Sequence, residues 1–442
     1  MSTGIVWFRK DLRLRDNPAW AGATNDHEHV VALFVVDPAL WNRVSDRRVA
    51  LAAGHLRKLD ESLRDLGGRL RIEIGDPRKV VPEVASSTGA EIVTANADVT
   101  RYAMERDETV ASRVELELHH GTLVHPPGSI LTQGGDRYRV FTPFSRRWFE
   151  TSPPRLGEPG NARVAGEAGR EMPETDPPPL EPGEEAAYAR LEAFDPARYP
   201  EERDRPDLDS TSRLSIDLKY GVISPLGILD HIGVESDGAR AFVRQLAWRD
   251  FYAHLLDENP DLVDRAMKPG YDRIAWRDDP EGFEAWTRGM TGYPLVDAGM
   301  RQLLAEGWLH NRVRMVTASL LVKDLLVDWR KGERWFRRQL LDGDVSQNVG
   351  NWQWVAGTGA DAAPYFRVFN PVSQSKKFDP DGDYIRRWVP ELAAVPAEFV
   401  HEPWTAGPLD LASWGAEAYP APIVDHAEAR ERALDTYKVG IG

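Results

Sequence analysis

The chain has 442 residues, 42% hydrophobic and 28% charged, which is enough for two domains and a sizeable core. Its formal net charge of -15 argues against indiscriminate nucleic-acid binding, and the lack of any Cys excludes disulfides, thiolate metal sites and a Cys nucleophile. No apolar run reaches membrane-spanning length and "IVWFRKDLRLRDN" follows the first residues directly, so neither a span nor a signal peptide is expected and a cytoplasmic protein is the simplest reading.

From residue 1 to about 128, short apolar runs alternate with helical patterns. Residues 5–8, 30–36, 70–74, 91–95 and 114–118 read as strands, and 47–66, 77–87 and 101–113 read as helices. This alternation predicts a doubly wound parallel α/β domain, in which ligands sit beyond the carboxyl ends of the strands. The first strand runs into "RKDLRLRDN" instead of a Gly-rich turn, and no Walker A sequence occurs, which disfavours a dehydrogenase or an ATPase. Residues 129–197 are rich in Pro, Gly and Glu and read as a long surface linker. From 198 to 442 the pattern is helical, predicting an all-α domain. One helix is expected over 238–257 with Asp237 as its N-cap, another from Pro294, and a third over 310–329.

Of the 15 Trp, eight (Trp248, Trp276, Trp286, Trp308, Trp329, Trp335, Trp352 and Trp354) lie within about a quarter of the chain. Indole suits packing, stacking on flat ligands and one-electron transfer. Residues 301–377 hold 12 Lys+Arg against 7 Asp+Glu, so an aromatic-rich block is locally basic within an acidic protein. That is the footprint of a nucleic-acid site, although ion-paired helix surfaces look the same. In "VRQLAWRDFYAHLL", Gln245, Trp248 and Tyr252 share a helix face beside Arg249, which suits a stacked base, although spacing alone favours an amphipathic core helix. In "WLHNRVRM", Asn311 and Met315 share a face while Arg312 and Arg314 point elsewhere, toward possible phosphates. "LLDGDVSQNVGNWQW" sets Asp342, Asp344 and Asn348 before two Trp that face opposite sides. The two carboxylates suit a general acid–base pair or acceptors for a ligand's N–H and hydroxyl groups better than a metal, which needs more oxygens. Thr211, Ser212 and Ser215 stand near a helix start, either as phosphate contacts or as caps. No Ser-His-Asp or His-rich metal pattern stands out, so the chemistry is expected to be a cofactor's.

Together, "VWFRKDLRLRDN", "TSRLS", "LAWRDFY", "TGYPLVDAGMRQL", "GWLHNRVRM", "VKDLLVDWR", "DGDVSQNVGNWQW" and "DAAPYFRVFNP" resemble the photolyase/cryptochrome family over nearly the whole chain, most closely the class I photolyases for cyclobutane pyrimidine dimers. The resemblance implies FAD in the helical domain. Tyr199 and Thr211, Ser212, Arg213, Leu214 and Ser215 would hold its phosphates, and Arg249, Asn311, Asp342, Asp344 and Asn348 would surround the rest, with Asn348 beside flavin N5. It implies light-driven repair of a pyrimidine dimer flipped out of ultraviolet-damaged DNA. Trp248 and Trp354 would be the walls of the lesion pocket, Gln245, Asn311 and Met315 its edges, and Arg203 and Arg312, with Tyr252 nearby, DNA contacts. Trp352, Trp329 and Trp276 match the chain of tryptophans that reduces the flavin. A monomer is expected, with no membrane partner and no metal.

One departure qualifies the match. Gln245 stands where dimer photolyases usually have Glu, as in six-four photolyases, yet "HNRVRM" lacks the His pair of that class. "NADVTRYAMERD" resembles the 8-hydroxy-deazaflavin antenna type more than the folate type, which makes Asp37, Arg48, Asp98 and Lys219 candidate antenna contacts. The alternatives are a cryptochrome-like blue-light photoreceptor, six-four photoproduct repair, and a plain flavoprotein oxidoreductase.

Overall fold

The computed structural model describes residues 2–155 and 157–441. The chain forms two compact units, Met1–Pro200 with Ser212–Pro260, and Glu201–Thr211 with Asp261–Gly442.

The first unit carries β1 (Thr3–Phe8), α1 (Pro18–Asp26), β2 (His29–Val36), α2 (Pro38–Trp41), α3 (Asp46–Asp65), β3 (Leu70–Ile74), α4 (Pro77–Thr88), β4 (Ile92–Asn96), α5 (Arg101–Ala111) and β5 (Leu116–His119). After these come α6 (Phe141–Glu150), β6 (Arg163–Val164), α7 (Glu184–Glu192) and α8 (Tyr199–Glu202), within which the division between the units falls. Then α9 (Ser215–Tyr220), α10 (Pro225–Ile232) and α11 (Asp237–Glu258) follow. The strands lie in the order β3-β2-β1-β4-β5, all parallel, with Ile5 opposite Val31 and Val93. Ile5, Trp7, Leu33, Val35, Val93 and Ala95 pack with Val81, Val84 and Val110 from the helices. Strands covered on both faces account for the unbroken apolar runs in the sequence.

Two expectations need correction here. The N-cap of α11 is Ser236, whose side chain accepts from Ala239 N–H at 3.1 Å, and Asp237 is its first helical residue. The stretch read as linker is not uniformly superficial: α6 buries Phe141, Phe144 and Trp148, and β6 pairs with β2 at the sheet margin. The "RKDLRLRDN" segment proves to be a polar knot. Arg13, almost fully buried, donates to the carbonyls of Arg15, Asp16, Gly121 and Gly221. Arg9 makes a bidentate pair with Asp107 at 2.7 and 2.6 Å, and Asn17 caps α1. Gly221 closes α9 at φ 62°, where a Cβ would lie 1.9 Å from the carbonyl oxygen of Lys10, so only glycine fits.

The second unit is helical: α12 (Pro280–Arg288), α13 (Pro294–Glu306), α14 (Asn311–Ser319), α15 (Trp329–Gln339), α16 (Val345–Ala356), α17 (Pro371–Phe378), α18 (Asp383–Trp388), α19 (Pro408–Ser413) and α20 (His426–Ile441). Among the described residues no strand follows β6. The helix expected over 310–329 ends early. α14 passes into a π-helical turn, Leu320–Asp324, and Leu326 at φ 55° breaks the path before Asp328 caps α15. No helix of the described residues is long and apolar enough to cross a membrane.

Candidate functional site

In the first unit, several candidate residues gather past the carboxyl ends of the strands, where α/β sheets place ligands. Asp37 follows β2, caps α2 at 2.9 Å through Ala39 N–H, and accepts the Tyr102 hydroxyl. Burial and that bond push the Tyr102 phenol up to about 12. Asp98 follows β4 and pairs with Lys10 at 2.7 Å. Arg48 lies buried in the first turn of α3, where its carbonyl accepts the Tyr220 hydroxyl at 3.4 Å, and Lys219 sits near the end of α9. Trp7 is held between the guanidinium groups of Arg9 and Arg106, at 4.8 and 4.7 Å from its ring.

α11 carries the Gln245, Trp248, Arg249 and Tyr252 group. Trp248 is half-buried and stacks on Phe141 at 3.5 Å with an interplanar angle of 11°. The predicted common face is divided in its exposure. Tyr252 is buried against Trp248 and Phe251, while Gln245 stays half-exposed with its amide nitrogen donating to the Ala241 carbonyl at 3.1 Å. Arg249 donates to the Thr122 carbonyl. Next to it Asp250 is sealed in, accepting from Trp148 Nε1 at 2.8 Å and from the amides of Val124 and His125; burial raises its carboxyl to about 6. Tyr199 packs edge-on to Phe242. Ser212 Oγ accepts from Leu214 N–H at 3.4 Å, Arg213 has φ 52°, Leu214 is buried, and Ser215 opens α9, which has no side-chain cap.

The second unit brings together Asn311, Arg312, Met315, Asp342, Asp344, Asn348, Trp352 and Trp354 on α14, α16 and the turn before α16. Asn311 Nδ2 lies 3.9 Å from Met315 Sδ, as the i, i+4 spacing predicts. Arg314 forks onto Asp342 at 3.1 and 2.8 Å, and Arg312 pairs with Asp204 at 3.0 Å while covering the Phe378 ring. Both arginines therefore serve carboxylates of their own unit. Asp344 caps α16, accepting from Ser346 N–H at 3.1 Å and its hydroxyl at 2.7 Å. Arg203 is exposed and Thr211 half-buried.

Asn348 is the most constrained polar group of the set. It is 9% exposed, and its Nδ2 donates at 2.9 Å to both the carbonyl and the carboxyl Oε1 of Glu333. Its Oδ1 has no hydrogen-bond partner among the described residues, so it presents an oriented neutral acceptor. Glu333 is 1% exposed and lies 3.3 Å from Arg337; burial pushes its carboxyl up. The sequence reading missed Glu333, because it sits 15 positions upstream on α15 with no motif linking the two.

Trp352 is buried, edge-on to Phe336 at 5.1 Å and to Trp286 at 6.1 Å; Trp286 stacks on Phe336. Trp354, two positions on, stays half-exposed, as opposite faces of a helix require. Trp329 is buried and Trp276 packs edge-on to Tyr437. Among the described residues no group of three His, Asp or Glu is placed to hold a metal. The second unit thus offers an oriented amide acceptor, a carboxylate–guanidinium pair, and oxidisable rings in contact as Trp352 with Trp286 and Trp276 with Tyr437. That set suits an aromatic redox cofactor with N–H and hydroxyl groups.

Two family models match the chain: one described as DNA photolyase over residues 4–160, and one described as FAD binding domain of DNA photolyase over residues 242–439. A relative from Streptomyces griseus named deoxyribodipyrimidine photo-lyase is 43% identical and covers 98% of each chain. A bacterial class III photolyase from Agrobacterium tumefaciens is similar in structure, with a TM-score of 0.93 and 39% identity over 100% of this chain and 98% of that one. A cryptochrome from Synechocystis is also similar, with a TM-score of 0.89 and 28% identity over 99% of each chain.

Proposed function

The chain belongs to the DNA photolyase family, with the FAD-binding domain of that family in its helical part, and we propose that it repairs cyclobutane pyrimidine dimers in DNA by light-driven electron transfer from reduced FAD. The observation that carries this reading is Asn348: its amide is oriented from behind by Glu333, and its carbonyl oxygen is left to accept from a flavin N–H. A neutral acceptor there adds neither a proton source nor negative charge beside a reduced ring.

FAD, when bound, supplies the photoexcited electron donor; the chain supplies position and electrostatics. Asn348 fixes the ring edge. Asp342, already neutralised by Arg314, accepts ring or ribityl donors without leaving a bare buried charge. Trp352, Trp329 and Trp276 are the proposed route for electrons toward the ring, and Trp248 and Trp354 the proposed stacking partners of the flipped bases. A second chromophore of the deazaflavin type near Asp37, Arg48, Asp98 and Lys219 belongs to the same proposal.

One observation favours a second reading, blue-light sensing. Gln245 supplies no carboxyl, and its amide nitrogen is turned to its own helix. The test is to mix flavin-loaded, reduced protein with ultraviolet-irradiated oligothymidine under blue light. Loss of dimers in light and not in darkness is expected. Photoreduction without dimer loss overturns repair in favour of sensing, and activity confined to six-four products moves the substrate.

A further inference from the structure

Trp248 stacks on Phe141 with ring centroids 3.5 Å apart and planes 11° from parallel. Aromatic pairs left to themselves offset or turn edge-on, with centroids about 4.5–7 Å apart. A nearly face-to-face stack is therefore held by what surrounds it. Phe141 opens α6, and Trp148 lies seven positions on, two turns along the same face. Between them Phe144 packs on Phe251 and His254 of α11, centroids 5.2 and 5.3 Å away. Such apolar contacts tolerate sliding of one helix along the other, because burial of area has no direction.

Asp250 supplies a directional link. Its Oδ2 accepts from Trp148 Nε1 at 2.8 Å and from the His125 amide at 2.9 Å, and its Oδ1 accepts from the Val124 amide at 3.3 Å. Its neighbours on α11 grip the same segment: Arg249 donates to the Thr122 carbonyl, and His254 Nε2 lies 3.2 Å from the His125 carbonyl. The His125 ring meets Trp148 edge-on at 5.2 Å, which further confines the indole. Asp250 is 1% exposed, and burial holds its carboxyl up at about 6 in spite of these donors and the nearby Arg249. Ionised at neutral pH, it subtracts from stability. A side chain kept only to fill space would not carry that charge.

We propose that Asp250 and Trp148 are positioning residues for damage recognition: their hydrogen bond sets α6 along α11 so that Phe141 stays flat on Trp248. Phe141 covers one face of the indole, so a flipped base meets the other, in a plane fixed before DNA arrives. Setting that plane in advance removes an ordering cost from binding the lesion and leaves contacts with the phosphate backbone untouched. Every residue in this chain of contacts belongs to the first unit. The inference rests on the reading of Trp248 as a wall of the lesion pocket.

The experiment measures, in darkness, the affinity of flavin-loaded protein for an oligothymidine duplex with and without one cyclobutane dimer. Trp148→Phe keeps the ring and removes only the N–H. It should lower the preference for damaged over undamaged DNA by about tenfold, part of the worth of one stacked base, with undamaged affinity unchanged. Asp250→Asn, which trades an acceptor oxygen for a donor, and Phe141→Leu should each give a similar loss. Because all three changes release the same stack, Trp148→Phe combined with Phe141→Leu should lose no more than either alone. Full preference in Trp148→Phe, losses that multiply in the double variant, or equal weakening of both DNAs overturns the positioning role. Full preference in Trp248→Ala would instead sink the lesion-wall reading itself, a separate result.

Discussion

A single amide shows how position makes chemistry here. Asn348 could rotate and present either end, but both of its N–H groups are committed to Glu333, so the carbonyl end is fixed. Glu333 is an expensive partner: its burial raises its carboxyl in spite of the Arg337 ion pair and the nearby Arg334. Glu333→Ala should therefore act in two ways. It removes a buried acceptor, with a loss of about 1–3 kcal/mol in denaturant unfolding. It also leaves the Asn348 amide held only by the main-chain carbonyl of residue 333, so its orientation loosens and flavin should bind more weakly than stability alone accounts for. Glu333→Gln, which keeps a carbonyl acceptor, should recover most of both; if alanine leaves flavin affinity unchanged, Glu333 does not position Asn348. Motif resemblance made Asn348 legible. Glu333 was not, because a carboxylate on a basic helix reads as a surface ion pair until the fold turns it inward.

At the scale of elements, the parallel strands were readable to within one or two residues: β1, β2 and β4, buried on both faces, write themselves as apolar runs, while the outer strands β3 and β5 show the alternation of partly exposed strands. What was not readable was punctuation that depends on tertiary contact. The π turn at Leu320–Asp324 and the positive φ of Leu326 split a segment whose spacing alone continues as helix. In the same way α6 was hidden in a Pro- and Gly-rich context, since its helical face makes sense only against α11. In the second unit α15 and α16 approach closely. A Cβ built on Gly332 would sit 2.2 Å from the six-membered ring of Trp352 and 2.5 Å from Leu321. Gly332 needs no special dihedral; it is glycine because an indole occupies the space. Gly332→Ala should thus cost more than the helix propensity it gains, a net loss of about 1–3 kcal/mol from overpacking. Trp352 would have to move, so its emission should shift and photoreduction should slow. A variant that gains stability would mean the two helices pack less tightly than described.

For the whole molecule, the sequence shows an acidic chain with one locally basic, aromatic block, and the structure qualifies what that block can offer DNA. Arg312 and Arg314, expected to be available to phosphates, are engaged by Asp204 and Asp342 within their own unit. A net charge of -15 adds a long-range repulsion from a polyanion. Recognition should then depend less on the number of cations than on stacking of the damaged bases. Two measurements separate these contributions. For undamaged DNA, log affinity against log salt should fall by about 0.9 per phosphate neutralised, and Arg203→Ala should reduce that slope by about 1 while weakening damaged and undamaged DNA alike. Trp354→Ala should leave the slope unchanged and weaken only damaged DNA, by about 1–3 kcal/mol, the contribution of one stacked base. If the tryptophan variant instead weakened both DNAs equally, Trp354 would be serving the protein's packing, and discrimination of the lesion would have to come from elsewhere in the two units.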